Sequence, residues 1–265
     1  MIDHTETISA FQNYTKDYNE ALKDIDRKIL HTFRVAKNSE RIAEGLGLDK
    51  DDIDLAWFIG ILHDTGRFEQ ERRYGTYVDS VSVDHAELGA DILFKDGLIS
   101  IYRTENLPDG WRPLCETAVR LHNKLALPPD LDPRTRLFCK LIRDADKIDI
   151  FRVAATTPAE DLVGSARNRF TDDPLASDEV MACVYEHRCV PRKLVKSIFE
   201  GTVTNCCMAF DLGLKESRLI VKEQGCLATL LDGSDRWNED QRSQLQIIRR
   251  EIEKAWGMLL TEGRH

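Results

Sequence analysis

Three absences narrow this sequence before any motif is read. No stretch approaches the roughly 20 consecutive apolar residues that a membrane-spanning helix needs, so no membrane association is expected. An excess of positive charge is also missing: 37 Lys and Arg face 46 Asp and Glu, a formal net charge of -9. That balance lacks the clustered basic face of a nucleic-acid binder, and a nucleic-acid partner is not expected. A small anionic substrate remains compatible with it, because bound cations would dominate the local field of a site. Finally, none of the seven cysteines forms a C-x-x-C pair and their number is odd. Neither a disulfide framework nor a zinc ribbon follows; free, buried thiols in a reducing compartment do. The first twenty residues are polar and cannot serve as a secretory apolar segment, so the expected location is cytoplasmic.

What is present is helical periodicity. Leu22, Ile25, Ile29, Phe33, Ala36, Ile42, Ala43 and Leu46 recur near a period of 3.6, which predicts a helix over 18–46 ended by Gly45 and Gly47. Asp49–Asp52 open a second helix through "IDLAWFIGILHD", apolar nearly all round and therefore buried. Residues 65–83 read as loop. A helix then follows in 82–94, with Ser82 as N-cap and His85 inside, another in 109–124, and one from Pro133 to Val153. Residues 155–177 read as irregular, 191–210 and 242–260 as helical, and "RLIVKE" (218–223) as either helix or strand. No repeat, low-complexity linker or alternating hairpin pattern interrupts this. The expectation is an all-α fold in one domain, 1–265, with a core about 18–154 and further helices about 178–262.

Ionisable residues stand at apolar positions of successive helices: His31, then His63 with Asp64, then His85, then His122, then Asp144 or Asp146. One histidine at such a place is usually a satisfied core residue. Four in succession followed by carboxylates suggest side chains turned toward a common axis, as in helical bundles that build binuclear metal sites. Imidazole and carboxylate without thiolate suit Mn, Fe, Ni, Mg or Zn rather than softer ions.

"HTFRVA" (31–36), "ILHDTGRF" (61–68) and "LIRDADKIDIF" (141–151), with His85 in "VDHAELGADIL" and His122 in "RLHNK", resemble the motifs of the HD-domain superfamily of metal-dependent phosphohydrolases. The resemblance spans 31–151 and implies an HD-type helical bundle with additional C-terminal helices. It implies His31, His63, Asp64 and Asp146 as core ligands, with Asp64 bridging when two divalent ions are bound and His85 and His122 serving the second. The family pattern selects Asp146; Asp144, about 200° away on the helix, would be a supporting or surface residue. The chain departs from the cyclic-dinucleotide branch, since Asn123 and Lys124 follow His122 and no Gly-Tyr-Pro comes after them.

The activity this implies is hydrolysis of a phosphate ester of a nucleotide or related small molecule, with cations gripping the phosphoryl oxygens and making hydroxide available near neutral pH. Arg67 and Lys147, beside the motifs, are candidates to contact the phosphate, and Arg67 offers a planar fork for it. Arg72, Arg73 and Tyr77, in the polar stretch 69–82, together with Asn123 are candidates for substrate binding. The same ligand set permits a di-iron oxygenase, and a regulatory or binding protein with a metal site is the third reading. The adjacent Cys206 and Cys207 suggest only buried thiols on a helix. Oligomeric state is not legible.

Overall fold

A computed structural model describes residues 2–18, 25–157, 175–233 and 237–261. Among them the architecture is all-α, with no β-strand. The chain divides into two compact units, Met1–Asp146 and Lys147–His265.

The first unit begins with α1 (His4–Lys16), capped by the Asp3 side chain, a helix not expected from so polar a stretch. Its burial of Phe11 explains it: that ring meets Phe33 and Phe68 edge-on, at centroid distances of 5.5 and 5.8 Å. Helix α2 (Ile25–Gly45) carries His31, and residues 19–24, including Leu22 of the predicted longer helix, lie outside the described residues. Helix α3 (Lys50–Leu62) starts on its Asp49 cap and buries every residue from Asp54 to Leu62.

Residues 65–83 do not form the expected loop. Helix α4 (Thr65–Tyr74) occupies most of the stretch, ended by Gly75 at φ 62°. Its charged sequence hid a buried stripe of Phe68, Glu69 and Gln70, whose polar members bond to Tyr18 and Asp79, outside the helix. Helix α5 (His85–Ala90) is capped by Asp84, not Ser82, because Asp84 Oδ1 accepts from the Ala86 and Glu87 N–H groups. It continues as a π-helical turn, Asp91–Lys95. Helix α6 (Trp111–Leu121) precedes His122, and α7 (Pro133–Thr156) carries Asp146 and runs past the division between the units.

Two glycine contacts set the spacing of the elements that matter. A Cβ on Gly60 would lie 2.4 Å from Ala36 Cα, so only glycine lets α3 approach α2 this closely. A Cβ on Gly66 would lie 2.1 Å from the His85 carbonyl oxygen and 2.6 Å from Gly89 N, which seats α4 directly on α5.

In the second unit, α8 (Asp178–Tyr185), α9 (Ile198–Cys207), α10 (Lys215–Gln224), α11 (Cys226–Asp232) and α12 (Glu239–Trp256) pack around Phe199, Val203, Leu227, Leu231, Leu245 and Ile248. The ambiguous stretch 218–223 is helical, inside α10. Residues 158–174, most of the segment expected to be irregular, lie outside the described residues. Cys206 and Cys207 are buried, and burial pushes the Cys206 thiol up to about 12, which leaves it unreactive. Among the described residues no helix is long and apolar enough to cross a membrane.

Candidate metal centre

The apolar helix α3 stops at Leu62, and His63 and Asp64 form the joint between it and α4. His63 keeps helical geometry, its N–H donating to the Ile59 carbonyl, whereas Asp64 leaves it at φ -100°, ψ 15°. Although Asp64 stands at the N-cap position of α4, its side chain caps nothing. The helix therefore ends there and both side chains still turn inward: His63 is fully buried and Asp64 is 3% exposed.

Around Asp64 the unit gathers four imidazoles. Oδ2 lies 3.7 Å from His31 Nε2 and 3.7 Å from His63 Nε2. Oδ1 lies 3.5 Å from His85 Nε2 and 3.7 Å from His122 Nε2. Each carboxylate oxygen thus faces its own pair of histidines. Asp146 joins from α7, its Oδ1 being 3.1 Å from His31 Nε2. Asp144 is buried as well, which excludes the surface position among the two expected for it.

The protonation pattern follows from what the other ring nitrogens touch. His63 Nδ1 is 2.7 Å from the Gly60 carbonyl and His122 Nδ1 is 2.7 Å from the Val119 carbonyl. A carbonyl oxygen only accepts, so both Nδ1 atoms carry the proton. His85 Nδ1 is 2.7 Å from Asp79 Oδ2. Burial works against the Asp79 carboxylate, but the bond from His85 and the Arg67 guanidinium hold it well below the usual range, so it too accepts. Burial lowers His63 and His85 to about 4, which leaves both rings neutral at physiological pH. Their Nε2 atoms then present lone pairs toward Asp64.

Two features show that this donor set fits a cation. His63 Nε2 is buried without a hydrogen-bond partner. His85 Nε2 and His122 Nε2 lie 3.0 Å apart with Nδ1 protonated on both rings. A cation between them would be met by both nitrogens, and the anchored Nδ1–H groups are the usual support of metal-binding histidines. Among the described residues three groups could hold an ion: His31–His63–Asp64 and Asp64–His85–His122, both buried and sharing Asp64, and Asp79–Asp84–His85, whose two carboxylates are only partly buried.

Charges already in the protein partly offset the carboxylates. Lys28 Nζ donates to Asp64 Oδ2 at 3.0 Å, and Arg67 Nε is 3.6 Å from Oδ1. Burial would raise the Asp64 carboxyl, but Lys28 and the surrounding groups hold it well below its ordinary value. Lys28 went unnoticed in the sequence, yet its place three residues before His31 puts it on the same helix face. Asp79 was missed too, for it opens a single 3-10 turn, Asp79–Val81, with nothing in the pattern to mark it.

The remaining sequence candidates divide. Arg67 Nη1 donates to Gln70 Oε1 (2.9 Å), the Tyr77 carbonyl (2.6 Å) and Asp79 Oδ1 (2.9 Å), so its fork ties Asp79 to Asp64. Asn123 Nδ2 donates to Asp84 Oδ1 at 2.8 Å and sits 3.4 Å from Asp79 Oδ2. The Tyr77 ring lies 5.6 Å from Lys28 Nζ. Arg72 and Arg73, both more than half exposed, pair with Glu69, and Arg72 also covers the Tyr18 ring. Lys147 pairs with Asp211 at 3.0 Å within the second unit.

Buried imidazoles anchored through Nδ1 around carboxylates, on an all-helical scaffold, make a donor set that could hold divalent metal ions. Residues 29–150 match the family model of the HD domain, a match that supports membership of the HD-domain superfamily for this region. No curated protein and no solved structure matches the chain.

Proposed function

We propose that this protein is a metal-dependent phosphohydrolase that cleaves a phosphate ester of a nucleotide or related small molecule in the cytoplasm. The observation that carries the reading is the position of Asp64, whose two oxygens face two separate histidine pairs. Such a carboxylate suits a bridge between two divalent ions, one held by His31, His63 and Asp146 and the other by His85 and His122. The superfamily, mostly metal-dependent phosphohydrolases, supports the same class.

Bound divalent cations supply Lewis acidity and make hydroxide available near neutral pH. In the overall reaction the oxygen of water forms a bond to phosphorus, the ester P–O bond breaks, and the proton from water ends on the departing alcohol. The chain's own part is preorganisation. Asp79, tied down by Arg67 and Gln70, orients His85 and fixes its tautomer. The Gly60 and Val119 carbonyls do the same for His63 and His122. Burial keeps His63 and His85 neutral and shields the site from bulk solvent, a setting in which charge stabilisation is strongest.

Phosphate or alcohol release from a generic monoester and a generic diester, with Mn²⁺, Mg²⁺, Ni²⁺ and Fe²⁺ in turn, tests the reading. Metal-dependent turnover that disappears in Asp64→Ala is the expected result. Absence of hydrolysis, with iron retained and dioxygen consumed, would overturn it in favour of an oxygenase.

A further inference from the structure

Lys28 is the cation at this centre with the least to hold it there. It stands on α2 one turn before His31, with a side chain 23% exposed, so it reaches from the solvent edge to a carboxylate that is almost wholly buried. Its polar contact is Asp64 Oδ2 at 3.0 Å, and the Tyr77 ring flanks it at 5.6 Å. Arg67, by contrast, is fixed by Gln70, the Tyr77 carbonyl and Asp79. Asp64 Oδ2 is also the oxygen that faces His31 and His63. An ion held by those histidines and Lys28 would compete for one oxygen, and a divalent ion is the stronger claimant.

The charge of the shell says what Lys28 would then face. Three carboxylates (Asp64, Asp79, Asp146) stand against two cations (Lys28, Arg67), which leaves one net negative charge, while Asp84 is matched by Lys124. With two divalent ions the shell would carry three net positive charges. A dianionic phosphate group and one hydroxide cancel these, whereas the monoanion of a diester leaves one uncancelled.

We propose that Lys28 is a substrate-binding residue: released from Asp64 when metal ions are bound, it takes a non-bridging oxygen of a dianionic phosphomonoester and sets the preference for monoester over diester. The proposal rests on the phosphohydrolase reading for its substrate class. Its binding step is testable without turnover.

Inorganic phosphate, the dianion itself, is the probe. Calorimetric titration of phosphate into the Mn²⁺-loaded wild-type protein, Lys28→Gln and Lys28→Arg measures the contact directly. Loss of one charge-assisted hydrogen bond predicts binding weaker by about tenfold or more in Lys28→Gln, with most of it restored in Lys28→Arg. Mn²⁺ affinity should stay equal or become tighter in Lys28→Gln, since a competitor for Asp64 is gone. In kinetics the same variant should lower the monoester-to-diester ratio of kcat/KM by a similar factor. Unchanged phosphate affinity with tighter Mn²⁺ binding would overturn the proposal and leave Lys28 as a mere counter-charge for Asp64. Failure of the wild-type protein to hydrolyse any ester would instead sink the phosphohydrolase reading, while the phosphate titration would still decide the contact.

Discussion

His85 and His122 face one another through their Nε2 atoms at 3.0 Å, and each ring is anchored through Nδ1, His85 to Asp79 and His122 to the Val119 carbonyl. Held in this way, both rings turn Nε2 toward the same small volume. A cation sharing that volume would be met by both nitrogens, and the Asp64 carboxylate beside it would complete the ligand set.

The Asp79 carboxylate is therefore expected to influence metal affinity through His85. Asp79→Ala removes the acceptor that fixes the His85 tautomer and frees the Arg67 fork. Loss of such outer support costs metal affinity about 10–100-fold. Competitive titration against a metal indicator should show that drop with the far-UV circular dichroism unchanged; wild-type affinity would contradict the role.

Gly66 serves packing rather than chemistry. In Gly66→Ala the new Cβ would meet the His85 carbonyl at 2.1 Å and Gly89 N at 2.6 Å, both backbone atoms unable to yield cheaply. Overpacking of this kind costs about 1–3 kcal/mol. A lower Tm together with weaker metal binding is expected, since α5 must move and His85 moves with it. An unchanged Tm would show that α4 and α5 are not in contact as described.

Arg73 discriminates between a substrate clamp and a structural ion pair. It is more than half exposed and its Nε pairs with Glu69, on its own helix. Glu69 is buried but keeps Arg72 and the Tyr18 hydroxyl when Arg73 is removed, so the half-exposed pair contributes roughly 0–1 kcal/mol. Arg73→Ala should leave KM unchanged and Tm nearly so; a raised KM would restore the clamp.

How much of this was legible in the sequence depended on the range of the forces involved. The helices with a continuous apolar face, over 50–62 and 133–156, follow from periodicity alone. The motif spacing brought His31, His63, Asp64, His85, His122 and Asp146 forward as candidates. Helix α4 was hidden because its buried face is polar, with Glu69 bonded by Tyr18, 51 residues away, and Gln70 bonded to Asp79 and Ser82 in the segment that follows the helix. The cap of α5 fell at Asp84 instead of Ser82 because Asp84 also serves Asn123 and Lys124, 39 and 40 residues away. For Arg67 the sequence left a phosphate contact, a solvated charge and an ion pair open, and the structure places its guanidinium on Gln70, the Tyr77 carbonyl and Asp79. Partners of this kind leave no trace in helical periodicity.

The second unit has a pH-sensitive element of its own. Glu200 on α9 is fully buried and accepts from the Ser177 N–H (3.1 Å), the Ser177 hydroxyl (2.7 Å) and the Lys196 N–H (2.6 Å). Burial would raise its carboxyl, but these donors lower it below the ordinary value. A depressed carboxylate contributes stability that is present above its unfolded-state pKa and is lost as pH falls through the folded one. Urea midpoints between about pH 6 and about pH 3 should therefore fall more steeply in the wild type than in Glu200→Gln, which has no charge to lose. Parallel profiles would contradict this.

The most direct test of the central claim is the metal content of the protein and of Asp64→Ala after loading with Mn²⁺ and removal of free ion, read by elemental analysis. The account predicts two ions per chain in the wild type and loss of both in the variant, with helical content retained. Metal-free wild-type protein, or full loading of Asp64→Ala, would contradict it.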